Sequence, residues 1–384
     1  MLSFLHRSLP AFATSEWPGS HSAVLAAIHR TQFFIASFVT GLCVLVIELS
    51  ATRILSPYFG NTIFSFSGVI TIVLAALSAG YYIGGQRADR DPSPRRFYST
   101  IVVSGLSVVL LHLLSVVLLP LLGRLPIVWG PLLTAAVLFF MPAFFLGMLS
   151  PYAVKLQTAS GGENTVGTVS GTIFFWSTLG SLAGSLLTGF VLIPLMGLQA
   201  ILFTIAGLLF IVGIAGLALH RSLTLRHVAL CAAGVVLAFV FARVRAEADR
   251  ERYVFITDGV YERLAVLDTT NDGQTVRRFL QDRSVSGIID RTSGRSAASY
   301  TTYLDLYRAF NPKPKTALIM GAGVYILPRQ LAEAEPEATV HVAEVEPSLR
   351  QLAERYFHLS REQRIIDHLV DGRRLLRDSP RTYD

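Results

Sequence analysis

Charge is scarce in this 384-residue chain. Asp, Glu, Lys and Arg make up 15% of it, against about 25% in an ordinary soluble domain. Cysteine is scarcer still: Cys43 and Cys231 are the two, and both sit in apolar runs. They define no disulfide framework and no metal-ligand spacing. The nine histidines are scattered, with no pair at ligand spacing on a polar helix, so no metal is expected. Residues 1–31 lack a compact apolar core ahead of a small-residue cleavage site and do not read as a signal peptide. The net charge is +7, yet no nucleic-acid motif accompanies it. Arginines that flank apolar runs explain it through anionic headgroups. The expected partner is the lipid bilayer, not nucleic acid.

Apolar sequence is abundant, at 52% of residues. Its distribution is uneven: charge is sparse from Thr31 to Ala242 and dense from Arg243 to Asp384. A membrane-spanning helix needs about 20 apolar residues. Seven segments qualify, at about 32–56, 64–86, 98–120, 127–150, 167–193, 198–219 and 227–243. Residues 32–243 are therefore read as a multi-span α-helical bundle, with 244–252 as a basic linker. Pro194 and Gly197 divide the long uncharged run from Thr165 to His220 into two spans. A multi-pass protein of the cell membrane is expected.

Glu48 and Arg53 are ionisable groups at membrane depth, where charge is costly and often functional. The structural expectation is that Arg53 snorkels to the interface and Glu48 pairs within the bundle. Gly80 with Gly84, and Gly180 with Gly184, have the spacing that lets helices approach closely. Arg87, Arg90, Arg95 and Arg96 mark the 87–96 loop as cytoplasmic. Seven crossings then put the C-terminal region outside, while Arg243, Arg245, Arg250 and Arg252 argue for inside. A ligand made in the cytosol favours a cytoplasmic placement.

Residues 253–298 read as short strands around an Asn271-Asp272-Gly273 turn. Ser299–Phe310 reads as an amphipathic helix. From Thr316 the pattern is strand, Gly321-x-Gly323 turn, helix, strand, Glu344. Such a βαβ unit, within 299–384, predicts a Rossmann-like fold that holds a ribose. The third fingerprint position is Ile326, not glycine, which disfavours a dinucleotide pyrophosphate. S-adenosylmethionine and its relatives fit. Asp371-Gly372 closes a third strand and faces the same rim, with helix N-capping as the alternative role for Asp371.

Three stretches carry a family resemblance: SYTTYLDLYRAFNPKPKTALIMGAGVYILPR, VHVAEVEPSLRQLAERYF and VDGRRLLRDSPRTYD. They resemble spermidine synthase-like polyamine aminopropyltransferases, in particular the subgroup fused to a multi-span membrane region. VIELSATRILSPYFGNTIFSFSGVI and GTIFFWSTLGSLAGSLLTGFVLIPLMG resemble that subgroup's first and fifth spans. The resemblance implies aminopropyl transfer from decarboxylated S-adenosylmethionine to a diamine such as putrescine. It implies Gly321 and Gly323 as the glycine loop, Glu344 as the ribose acid, Asp371 and Gly372 on the adenine side, and Tyr303 near the substrate. Three departures stand beside it. Val324 replaces an acid that would hold the donor amine. Thr302-Tyr303-Leu304 replaces a Tyr-His-Glu element. The expected catalytic base lies beyond Asp384, so the chain is read as C-terminally truncated and not competent for turnover. Two other readings stay open: an S-adenosylmethionine-dependent methyltransferase on the same fold, and a non-catalytic membrane scaffold or transporter that senses a nucleoside. A homo-oligomer is compatible with each.

Overall fold

A computed structural model describes residues 21–159, 165–271, 273–311, 313–360 and 364–384. Among the described residues, the N-terminal region is built of helices joined by short turns. It contains α1 (His21–Phe59), α2 (Ile63–Arg90), α3 (Pro94–Leu122), α4 (Gly130–Gly147) and α5 (Leu149–Ala159). After these come α6 (Val166–Leu187), a π-helical turn (Thr188–Leu192), α7 (Ile193–Leu195), α8 (Leu198–Leu219) and α9 (Leu225–Arg252). With α4 joined to α5 and α6 to α7, the described residues contain 7 helices long and apolar enough to cross a membrane. Helix α9 runs on through Arg252. Residues 244–252 are thus the last turns of that helix, braced by an Arg245–Asp249 pair at 2.9 Å one turn apart.

The paired glycines are contact points. A Cβ on Gly180 would overlap the Phe38 carbonyl, and one on Gly184 would come within 2.5 Å of the Leu42 carbonyl, so α6 lies directly on α1. Gly80 and Gly84 seat α2 on the backbone of Phe144 and Met148 in the same way. Small residues let backbones meet where no hydrophobic driving force separates lipid from protein.

The C-terminal region holds two sheets. Strands β1 (Phe255–Asp258), β2 (Arg263–Asn271), β3 (Gln274–Gln281) and β4 (Ser284–Asp290) form an antiparallel meander in chain order. That is four strands where the sequence pattern marked short strands around a single turn. Asp272 of the predicted turn lies outside the described residues; Gly273 beside it has φ +79°. The segment Ser299–Ala309 is a 3-10 helix, not the expected α-helix. The second sheet is parallel, in the order β5 (Thr316–Met320), β6 (Thr339–Glu344), β7 (Ile365–Leu369). Helices α10 (Ile326–Ala334) and α11 (Leu349–Tyr356) make its crossovers, and α12 (Gly372–Asp378) follows β7. The two sheets share one core: Leu264, Val266 and Phe279 of the meander pack with Val324, Val342 and Phe357.

The meander rests on the bundle. Arg53 of α1 donates to the carbonyls of Tyr261 and Gly259, the latter at 2.6 Å. Arg283 donates to the Tyr58 carbonyl at 3.1 Å, and the Leu198 amide donates to Asp258 at 3.0 Å. Helix α2 starts on this face, and its 28 residues rise about 40 Å before the 87–96 loop. That loop and the C-terminal region therefore lie on opposite faces of the bundle, and a single membrane side cannot hold both.

Glu48 and Arg53 do not pair with each other. Arg53 reaches into the meander, and half-buried Glu48 makes no hydrogen bond or ion pair among the described residues. The expected pairing of Glu48 inside the bundle is corrected: α1 turns most of its buried face to α6, which carries no charged residue.

Candidate nucleoside site

Three parallel strands bring the predicted residues to one rim. Met320 lies opposite Ala343 and Glu344 opposite Leu369, so β5, β6 and β7 end level with one another. The Gly321 amide donates to the Ala343 carbonyl at 2.9 Å, and the Val370 amide to the Glu344 carbonyl at 3.0 Å. Gly321, Glu344 and Asp371 thus leave three adjacent strand ends in the same direction. In open parallel sheets, that edge is where ligands bind.

The turn after β5 needs left-handed backbone. Gly321 has φ +83° and Gly323 φ +54°, a conformation that glycine adopts without a Cβ penalty. The two glycines serve different ends. A Cβ on Gly321 would meet nothing within 4 Å, so open space lies over it. A Cβ on Gly323 would sit 3.0 Å from the Ser286 carbonyl, so there the meander presses on the turn.

Glu344 closes the turn from the middle strand. Its Oε2 accepts the Ala322 amide at 2.8 Å, and its Oε1 accepts the amides of Val345 and Glu346 at 2.7 and 3.0 Å. Each carboxylate oxygen has two lone pairs. Oε2 therefore keeps a free acceptor position while already orienting the glycine turn. Asp371 caps α12, with Oδ1 accepting the Arg373 and Arg374 amides at 3.0 and 3.1 Å. Its Oδ2 has no partner among the described residues. Gly372 lies against the end of β5, where a Cβ would be 2.9 Å from the Met320 side chain. Tyr303 stands apart: it is 69% exposed on the 3-10 helix and makes no hydrogen bond to the glycine turn or to Glu344.

Val324 is fully packed, with its methyl groups filling the space left by Gly287 of β4. The position that the resemblance expects to be acidic is thus a core contact that joins the two sheets.

Sequence reasoning missed the carboxylates on the meander side. Buried Glu346 accepts the Val260 amide at 2.8 Å and the Tyr261 amide at 3.3 Å. The 259–262 loop is thereby held between Glu346 on one side and Arg53 on the other. Glu262 ends this loop. Burial, then the fields of Asp282 and Glu344, hold its carboxyl above the usual range, with Arg53 opposing. The Glu344-x-Glu346 spacing was a visible signal for Glu346; nothing local marked Glu262. A third group lies beneath the turn, where the Tyr325 hydroxyl donates to Asp367 at 3.0 Å and Arg350 pairs with the same carboxylate at 2.6 Å. It fixes the left-handed Tyr325 (φ +60°) that opens α10. Among the described residues no cluster of His, Cys, Asp and Glu has the geometry to hold a metal.

One comparison with known proteins finds a relative. A stretch of 64 residues is 41% identical to a protein of Vibrio vulnificus (strain CMCP6) described as "Polyamine aminopropyltransferase". That stretch covers 17% of this chain and 21% of the relative. It supports a spermidine synthase-like relationship for part of the chain. No family model matches, and no solved structure matches.

Proposed function

We propose that the rim formed by Gly321, Gly323, Glu344 and Asp371 binds an adenosyl sulfonium ligand, and that the protein is a membrane-anchored, spermidine synthase-like transferase. One observation carries this reading: Glu344 ends the middle parallel strand, orients the glycine turn through Ala322, and keeps acceptor capacity on Oε2. A ribose diol placed over Gly321 has the open space it needs. Asp371 Oδ2 then serves the adenine amino group. The donor in this reading is decarboxylated S-adenosylmethionine and the acceptor a diamine of the polyamine class. The acceptor nitrogen attacks the methylene carbon beside the sulfonium. The carbon–sulfur bond breaks with its electron pair passing to sulfur, methylthioadenosine leaves, and the nitrogen gives up a proton to water.

Glu262 is the group proposed to receive an ammonium. Burial raises its pKa first, and the neighbouring Asp282 and Glu344 carboxylates add to it; those carboxylates form a field that a cation relieves. This supplies the charge that Val324 does not. A methyltransferase is the second reading: buried Val324 is not the acid that the resemblance expects for an aminopropyl donor, and S-adenosylmethionine transfers its methyl group while its aminocarboxypropyl arm stays on the sulfur.

Calorimetry on the full chain tests both. Glu344→Ala is expected to weaken methylthioadenosine and decarboxylated S-adenosylmethionine alike, by about 2–3 kcal/mol, the scale of hydrogen bonds to a charged group. Glu262→Gln is expected to weaken only the amine-bearing donor. Equal binding by Glu344→Ala removes the site assignment, and equal loss of both ligands in Glu262→Gln removes the ammonium role. A cytosolic donor places the C-terminal region in the cytoplasm. Cysteines introduced at Ser93 and Ser360 should then label from opposite sides, Ser93 from outside the cell. Labelling of both from one side breaks the seven-crossing topology.

A further inference from the structure

A cavity of about 240 Å³ lies where the ends of α1, α3, α8 and α9 meet the meander. It is separate from the nucleoside rim, and the 258–263 turn forms a wall between them: Asp258 and Arg263 line the cavity, while Glu346 grips the amides of Val260 and Tyr261 from the other side. Its lining is divided by depth. Toward the bundle the walls are Ile54, Val116, Leu119 and Leu202. Toward the meander they are three arginines, Arg53, Arg245 and Arg263, and three carboxylates, Asp249, Asp258 and Asp282.

His112 of α3 lines the cavity and is 7% exposed, and its Nε2 has no hydrogen-bond partner among the described residues. A buried polar atom left unpaired is costly and calls for a partner in the space beside it. The ring is held edge-on to Phe203 at 4.9 Å, so it is positioned by packing. Two carboxylate oxygens of the charged wall also keep free capacity. Asp249 spends Oδ2 on Arg245 and Arg263, and Asp258 spends Oδ2 on the Leu198 amide.

We propose that this cavity is a binding site for a zwitterionic amphiphile, a phosphate and a primary amine carried on an apolar tail, as in an aminophospholipid of the surrounding bilayer. The balance of guanidinium and carboxylate groups suits a head bearing both charges. A purely anionic or purely cationic head would meet as much repulsion as attraction there. The apolar wall lies on the bundle side, where a lipid tail enters. His112 Nε2 and the free oxygens of Asp249 and Asp258 are the groups left to bond the head. The proposal rests on the bundle lying in a bilayer and is independent of what the nucleoside rim binds.

The test places the full chain in lipid nanodiscs of three compositions: phosphatidylcholine alone, with added phosphatidylethanolamine, or with added phosphatidylglycerol. Thermal unfolding is expected at the highest temperature with phosphatidylethanolamine. His112→Phe should remove that increment while leaving the helical signal intact. An empty cavity would instead make His112→Phe neutral or stabilising in all three lipids, because it deletes an unpaired buried atom. Asp258→Asn keeps the acceptor for Leu198 and should reduce the increment. Native mass spectrometry of the wild-type chain from mixed discs reads retained phosphatidylethanolamine without any variant. Equal unfolding in the three lipids, the highest value with phosphatidylglycerol, or no retained phosphatidylethanolamine overturns the proposal. Glycerophosphoethanolamine has the same head and no acyl chains. If it alone reproduces the increment, the lipid source is overturned in favour of a soluble zwitterion. Failure of the membrane reading shows separately, as a chain that alkaline carbonate strips from membranes.

Discussion

The bundle and the C-terminal region solve the same problem, backbone groups that need partners, by opposite means. In the bundle the helices satisfy their own amides, and backbones meet through missing side chains at Gly41, Gly80, Gly180 and Gly184. In the C-terminal region carboxylates do the joining: Glu344 and Glu346 accept backbone amides from loops, Asp282 from the start of β2 and Asp371 from the first turn of α12. The difference follows from solvent. An ionised carboxylate is tolerated beside water and costly in hydrocarbon, so charge fastens the C-terminal region and the ends of the bundle, where Lys155 pairs with Asp89 at 2.7 Å, but not the bundle's interior. Arg53 is the exception that joins the two, a bundle residue whose guanidinium fastens a soluble loop.

The largest effect should come from filling a glycine contact. Gly180→Ala drives a Cβ into the Phe38 backbone, which no side-chain shift relieves, and should destabilise the bundle by about 3 kcal/mol or more, the top of the range for overpacking. Gly171 lies on the same helix with nothing within 4 Å of its missing Cβ. Gly171→Ala should be neutral or stabilising by up to about 1 kcal/mol. Unfolding in mild detergent compares the two. If both variants unfold alike, the glycines are not the contact that sets α6 on α1.

Next comes the fastener between the regions. Arg53→Ala frees the carbonyls of Gly259 and Tyr261. Hydrogen exchange should speed up at the Val260 and Tyr261 amides and stay unchanged in β6. The local loss should be about 1.5–3 kcal/mol, as for a hydrogen bond to a charged group. Unchanged protection in the loop would show that Glu346 alone holds it.

The smallest effect is a pH dependence confined to the parallel sheet. His341 of β6 and His368 of β7 share a hydrogen bond at 2.9 Å. Burial, then the neighbouring His368 and Arg381, lower the His341 pKa from its ordinary 6.5. Below pH 6.5 the unfolded chain binds a proton that the folded chain refuses, so stability should fall as pH falls through that window. His341→Gln should flatten the slope there. A slope that survives the substitution places the titrating group elsewhere.

Much of the architecture was legible in the chain. The seven apolar runs correspond to the seven long helices, because hydrocarbon thickness and helix rise leave one solution for such a run. The β5–β6–β7 unit was legible for a similar reason: the two glycines and the carboxylate at a strand end are local requirements of a tight βα turn. Less visible was the meander's extent, since short strands carry weak periodicity. The continuation of α9 through Arg252 was also hidden, because its charged last turns resemble a linker in composition alone.

By itself the sequence determined which segments form helices or strands and which residues gather at the rim of the parallel sheet. Those choices depend on neighbours within a turn or a strand. Only the tertiary structure decided that Val324 is a core residue, that Glu262 and Glu346 stand beside the glycine turn, and that Arg53 spans more than 200 positions to hold Gly259. Each of these depends on groups far apart in the chain meeting across a fold. Hydrophobic periodicity carries no record of such meetings, because it reports which face is buried and not what it is buried against.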